Sequence, residues 1–166
     1  MTTTFTPPRQ IVLMREATDC EVAALATALG ITWEQARDLL SWQNLPGPLE
    51  NPVFGNPWNL YRALIKAGYW KRNVTLTMLL NGNCEPGKTI VLVKKSTAQQ
   101  HWVVWAGING FGMHQFYWGN SKEPCLKSST EVRKLFTSGA PANCAFQVYK
   151  ANFWRLMLVR VQSWFN

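Results

Sequence analysis

The chain has 166 residues, of which 47% are hydrophobic and 16% are charged, and its formal net charge is +8. This length suits one domain, and the apolar content predicts a packed globule rather than a disordered segment. The 17 lysines and arginines are scattered, with no run longer than two. This pattern argues against sequence-specific nucleic-acid binding and favours a solvated basic surface, which is compatible with an acidic partner.

The first eight residues lack the apolar core of a secretory signal, and no apolar stretch has the length of a membrane span. The cysteines form no C-x-x-C pair and have no zinc-like spacing with histidine. We therefore expect a reduced, cytoplasmic protein without a metal or a cofactor. The cysteines expected to be ordinary buried thiols are Cys84, Cys125 and Cys144.

The first predicted element is a helix that starts at Thr18 and ends near Gly30. Thr18 and Glu21 have the spacing of a capping box, an apolar run follows, and Gly30 is a typical C-cap. Cys20 then lies on the first turn, where unpaired backbone N–H groups and the helix dipole favour the thiolate. Asp19, beside it, is expected to be structural.

Two further helices are predicted before the chain changes character. The Thr32–Gln35 capping box starts a helix over residues 33–42, and residues 43–56 form a long loop rich in proline and glycine. Long ordered loops are often functional, so this one is a candidate border of a cleft. Pro57, at a first helical position, opens the next helix, which closes at Gly68.

Strands dominate the remainder of the chain, which predicts an α+β fold. A short helix over residues 128–136 is predicted from the capping-box spacing of Ser128 and Glu131. A hairpin turn is expected at residues 109–110, where Asn precedes Gly. The predicted strands are residues 74–80, 89–94, 101–108, 113–118 and 144–149.

His101 opens one of these strands, 81 residues after Cys20 (101 − 20). A thiol at a helix start and an imidazole at a strand start are the two halves of a papain-type pair. Cys20 would attack a carbonyl carbon, and His101 would accept the thiol proton and return it to the leaving amine. The alternative is a small buried thiol and a satisfied core histidine. His114, which has no matching partner, is expected to be non-catalytic.

These residues resemble the double-glycine leader peptidases, papain-like cysteine peptidases best known as N-terminal domains of bacteriocin-exporting ABC transporters. Residues 16–20 (Glu-Ala-Thr-Asp-Cys) look like the family's nucleophile motif, and residues 101–104 (His-Trp-Val-Val) look like its histidine motif. The resemblance implies a third, acidic or amide, residue after the next strand, and Asn120 is the candidate that would orient the imidazole. It also implies a helical half carrying Cys20 that packs on an antiparallel sheet carrying His101, within residues 1–150.

The sequence departs from the family pattern at two positions. Met14 stands six residues before Cys20, where the family usually has a glutamine that helps form the oxyanion hole, and methionine cannot donate a hydrogen bond. Gln10 would replace that amide only if the loop folds differently. Glu21 replaces the glycine commonly found after the nucleophile, and its carboxylate would oppose thiolate formation. The hole would then use the Cys20 backbone N–H and an unidentified second donor.

The resemblance implies a thiol protease that hydrolyses a peptide or isopeptide bond through a thioester. We expect it to be stand-alone, without the exporter role of the better-known relatives, and its size fits a small bacterial or bacteriophage protein. One alternative is a catalytically degenerate papain-like module that binds a protein or peptide partner without cleaving it, and another is deamidation or transglutamination by the same thiol. The apolar residues 151–166 are expected to pack on the domain, with partner docking or contact with a membrane surface as alternatives. The sequence does not determine the oligomeric state.

Overall fold

The computed structural model describes residues 10–16, 19–41, 60–61, 64–65, 67–94, 100–137 and 145–151. Residues 60, 61, 64 and 65 are helical. Four further helices lie within these ranges: α1 (Cys20–Leu29), α2 (Trp33–Ser41), α3 (Leu76–Leu80) and α4 (Ser129–Thr137). The strands are β1 (Tyr69–Asn73), β2 (Thr89–Lys94), β3 (Gln100–Ile108), β4 (His114–Tyr117), β5 (Cys125–Lys127) and β6 (Ala145–Lys150).

The six strands form one sheet in the order β1-β6-β2-β3-β4-β5, and every neighbouring pair is antiparallel. The register between β2 and β3 pairs Val93 with His101. On the other side of β3, pairing with β4 extends only as far as Val104, which lies opposite Tyr117. His101 and Trp102 therefore extend beyond the paired part of β4, and this edge of β3 is open to another element.

Side chains alternate across β3 and divide the core into two layers. Trp102 and Val104 belong to the cluster that contains α1, whereas Val103 and Trp105 belong to the cluster that contains α3 and α4. Every residue of α1 after Cys20 is buried. A helix buried on all sides is held in place by its surroundings, and α1 therefore presents its first residue at a fixed point above the sheet.

The local signals at the helix ends are mostly confirmed. Gly30 caps α1 with φ +69°, which a glycine adopts without the steric cost of a Cβ. The Thr32–Gln35 capping box is present, with the Thr32 N–H donating to the Gln35 side chain and the Gln35 N–H donating back. Ser128 and Glu131 form the same reciprocal pair at the start of α4.

The strand predicted over residues 74–80 is wrong. Thr75 is an N-cap whose hydroxyl accepts from the Met78 N–H, and the following residues form α3. The strand lies earlier, at residues 69–73. The alternation of threonine with apolar residues favoured a strand, but a threonine hydroxyl at a cap stabilises a helix start instead. The short edge strand β5 was not predicted.

Several predictions lie outside the described residues. They concern the Thr18 side chain, the loop at 43–56, the start of the helix at Pro57, the Cys144 thiol and the segment 152–166. The helix predicted to start at Thr18 begins instead at Cys20, with Asp19 as the N-cap and without a side-chain cap. None of the helices in the described ranges combines the length and apolarity that crossing a bilayer requires.

Candidate active site

Cys20 is the first residue of α1, and Asp19 is the N-cap. The sulfur of Cys20 lies against the backbone N–H of Trp102, the residue directly after His101 in β3. This N–H is free for the thiol because β4 does not reach the start of β3. The N-terminus of α1 thus contacts β3 at the edge where His101 begins the strand, which brings the two predicted residues into neighbouring positions.

The electrostatic surroundings of Cys20 differ from the expected ones. Burial raises the pKa of the Cys20 thiol above its ordinary value, and the carboxylates of Glu21 and Asp19 raise it further. The backbone N–H groups of Trp102 and Glu21 lower this pKa, but they do not offset the burial. The sequence predicted that the helix start would lower the thiol pKa overall, and this prediction is wrong because burial outweighs the backbone N–H groups. The predicted opposition of the Glu21 carboxylate to thiolate formation is confirmed.

Replacing Glu21 with glutamine should make the Cys20 thiol more reactive, because it removes a negative charge that raises the thiol pKa. We expect the Glu21→Gln variant to react with iodoacetamide at pH 7.5 faster by a factor of about three to ten. Glu16→Gln, which removes an exposed carboxylate from the nearby loop, is the matched control and should change the rate little. Equal rates for the two variants would contradict the electrostatic role of Glu21.

His101 is held by the end of β4. Its Nε2 atom lies 2.8 Å from the backbone oxygen of Trp118. A carbonyl oxygen can only accept, so Nε2 carries the proton in this bond and Nδ1 is the basic nitrogen of the neutral ring. The Trp118 indole also stacks on the imidazole, with ring centroids 5.4 Å apart and planes 17° apart. Trp118 therefore fixes both the tautomer and the ring plane of His101.

Asn120, the predicted third site residue, is exposed and lies two residues beyond Trp118. Its proposed role on His101 stays a prediction. The bond from His101 to the Trp118 carbonyl already supplies the orientation that a side-chain amide would give. Sequence reasoning missed this partner because a backbone carbonyl has no signature in the residue types.

Met14, at the position where the resemblance expects a glutamine, lies between α1 and the end of β4. Its backbone N–H donates to the oxygen of Gly119 at 2.7 Å. A Cβ atom on Gly119 would come within 2.8 Å of Met14 Cγ and 3.4 Å of the Ala23 Cβ. The Met14 side chain thus packs beside the residue that follows Trp118, close to the site, while Gln10 is exposed.

His114, in contrast, lies in the core layer on the α4 side of the sheet. Its Nδ1 accepts from the Trp105 indole N–H at 3.3 Å, and its Nε2 lies 3.3 Å from the Ser129 hydroxyl. The side chain is fully buried. These are the surroundings of a satisfied core histidine. That His114 is non-catalytic stays a prediction.

His114 should make the fold sensitive to acid. Burial lowers the pKa of His114 below its ordinary value of 6.5. The unfolded chain therefore binds the extra proton first, and the free energy of unfolding should fall as the pH decreases from 6.5 through the folded-state pKa. Chemical unfolding at several pH values would measure this dependence. A His114→Asn variant should lose this contribution, and an unchanged dependence in the variant would contradict the prediction.

The other thiols differ from Cys20 and from one another. Cys84 is buried, and burial raises its pKa to about 11. Cys125 is only half-buried, so the prediction of a buried thiol is wrong at this position. All three cysteines of the described ranges are free thiols. Within those ranges no cluster of three or more His, Cys, Asp or Glu residues gathers as metal ligands would.

No protein-family model and no curated protein matches the chain. Its fold is that of solved peptidase domains. The peptidase domain of Streptococcus ComA, a bifunctional ABC transporter of a quorum-sensing pathway, matches 85% of this chain and 97% of its own length, with a TM-score of 0.62 at 19% identity. The peptidase domain of Streptococcus mutans ComA matches 84% and 98%, with a TM-score of 0.59 at 18% identity.

A third similar structure is a double-glycine-motif protease from an AMS/PCAT transporter, solved in complex with a leader peptide. It matches 88% of this chain and 94% of its own, with a TM-score of 0.62 at 18% identity. At these identities the likeness establishes the fold. The predicted α+β, papain-like architecture, with the helix carrying Cys20 on an antiparallel sheet carrying His101, is confirmed.

Proposed function

We propose that the protein is a cysteine peptidase that cleaves a peptide bond with Cys20 as nucleophile and His101 as general base and acid. The main support is the 2.8 Å hydrogen bond from His101 to the Trp118 carbonyl, which leaves Nδ1 as the basic nitrogen at the start of the strand against which Cys20 packs. The peptidase fold is the second support. A peptide substrate is proposed because one of the similar proteases was solved with a leader peptide.

The raised thiol pKa defines how the reaction would begin. Cys20 rests as a neutral thiol and transfers its proton to His101 Nδ1 as the sulfur attacks the scissile carbonyl carbon. His101 then returns this proton to the leaving amine, and the C–N bond breaks to give a thioester. Water next attacks the thioester, with His101 accepting its proton and passing it to the departing sulfur. The proton count closes, and Cys20 and His101 return to their starting states.

The third position of the site is proposed as the backbone carbonyl of Trp118, with Asn120 as the side-chain alternative. Replacing Asn120 with alanine separates them. If the carbonyl suffices, Asn120→Ala should retain the activity and the reactivity of Cys20. A large loss of activity in Asn120→Ala would instead indicate that the Asn120 amide orients His101, as the sequence predicted.

The test of the function uses a peptide library with mass-spectrometric detection, and the rate of Cys20 alkylation as a second readout. The native chain should release product, and both Cys20→Ala and His101→Ala should abolish release. His101→Ala should also slow alkylation of Cys20 by about tenfold, because the imidazole would no longer accept the thiol proton. Cys125→Ala, which removes another accessible thiol, is the matched control and should behave as the native chain.

No cleavage by the native chain, together with Cys20 alkylation that does not depend on His101, would overturn the proposal. If the Cys20→Ala variant still bound a peptide that the native chain does not cut, the function would instead be that of a catalytically degenerate binding module.

A further inference from the structure

Residues 10–16, the bridging loop, contact the parts of the molecule that carry both candidate catalytic residues. On the α1 side, the Val12 N–H donates to the Thr27 hydroxyl at 3.0 Å. On the other side, the Met14 N–H donates to Gly119, the residue after the one that holds His101. A displacement of this loop would therefore be transmitted to α1 and to the end of β4 together.

Asp19 attaches the bridging loop to the residue before Cys20. Its Oδ2 accepts from the Arg15 backbone N–H at 2.9 Å and from the Trp33 indole N–H at 2.7 Å. Its backbone oxygen accepts from the Ala23 N–H in the first turn of α1. One residue thus connects the loop, the first residue of α2 and the start of α1.

The Asp19 carboxylate is unfavourable at this position in two respects, its burial and its charge. It is 5% exposed, and a buried carboxylate is unfavourable unless it is hydrogen-bonded. Its charge also opposes thiolate formation at Cys20. The side chain therefore acts against the thiolate through its charge, and what it supplies is geometry: two charge-assisted hydrogen bonds that aim in different directions.

We propose that Asp19 is a positioning residue, whose bonds to Arg15 and Trp33 hold the bridging loop so that Cys20 and His101 are aligned. Asp19 acts through these contacts and does not touch the reacting atoms. The inference rests on the proposed function, because it assumes that the thiol and the imidazole work as a pair.

A pair of substitutions separates the geometry from the charge. Asp19→Asn and Asp19→Ala both remove the charge, but only asparagine keeps an oxygen that can accept from Arg15 and Trp33. We expect Asp19→Ala to alkylate Cys20 at least about tenfold more slowly than Asp19→Asn at pH 7.5. The difference should vanish when His101→Ala is added to both variants, because the alignment matters only while the imidazole is present. A residue that merely stabilised the fold would give the same difference in both backgrounds.

Equal alkylation of the two Asp19 variants, or a difference that persists without His101, would overturn the inference while leaving the proposed function intact. If the native chain and the His101→Ala variant alkylate Cys20 at the same rate, the proposed function itself is overturned. If Asp19→Ala does not fold, as judged by circular dichroism, Trp33→Phe replaces it in the comparison, since it removes the indole N–H that donates to Asp19 and keeps a smaller aromatic ring at this buried position. That variant should slow alkylation in the presence of His101 and have no effect in its absence, and any other result contradicts the role of Asp19.

Discussion

Replacing Gly119 with alanine should both destabilise the protein and slow the alkylation of Cys20. Gly119 has φ +78°, a conformation that costs an L-residue roughly 1–2 kcal/mol. The new Cβ would also lie 2.8 Å from Met14 Cγ, so the Met14 side chain must move. We expect the free energy of unfolding to fall by about 2–3 kcal/mol, as measured by urea unfolding, because overpacking adds about 1 kcal/mol or more to the backbone cost.

The protein contains a matched control for this substitution. Gly112, in the turn between β3 and β4, has φ +74°, and the position that a Cβ would occupy has open space within 4 Å. Gly112→Ala should therefore show the backbone cost alone and leave the alkylation of Cys20 unchanged. Gly119→Ala should slow alkylation, because the crowding occurs next to the carbonyl that holds His101. If the two variants were equally stable and equally reactive, contact between Met14 and Gly119 would have no importance for the site.

Replacing Met14 with glutamine should increase turnover tenfold or more. Met14 lies beside Gly119, the residue after the one whose carbonyl holds His101, but its thioether supplies no N–H to a developing oxyanion. A well-placed oxyanion donor is worth about 2.7–4 kcal/mol, and imperfect placement of the new amide would reduce the gain. The measurement is kcat/KM on a peptide that the native chain cleaves slowly.

Met14→Leu serves as the control for the Met14→Gln variant, because it changes the side chain without adding a donor. It should leave kcat/KM within about threefold of the native value, since swaps that nearly conserve volume are well tolerated. Equal turnover of the glutamine and leucine variants would indicate that another group already fills the oxyanion position. The alkylation rate of Cys20 should not respond to the donor, since alkylation generates no oxyanion.

The parts of the fold that the sequence predicted well are those with local chemical signals. Capping pairs such as Thr32–Gln35 and Ser128–Glu131 are correct because both partners lie within one helical turn. The strand predicted at 74–80 failed because the Thr75 hydroxyl caps a helix, an option that a pattern of alternating residues does not reveal.

The site shows the same division between local and tertiary information. The positions of Cys20 and His101 follow from a helix start and a strand start. The thiol pKa did not follow, because burial is a tertiary property and outweighs the helix terminus. The contact of His101 with Trp118 involves a backbone atom 17 residues away and is invisible in the residue types. The bonds of Asp19 to Arg15 and Trp33 likewise emerge only when the bridging loop is in place.

The sheet order has a consequence for how the protein acquires its site during synthesis. β6 is the final strand of the described chain, yet it lies between β1 and β2. Its residues Phe146 and Val148 belong to the core layer beneath α1. A nascent chain that has not yet extended to these residues contains Cys20 and His101 but lacks part of the core against which α1 packs. Since pairings distant in sequence form slowly, the proposed peptidase activity should appear late, after all six strands have paired.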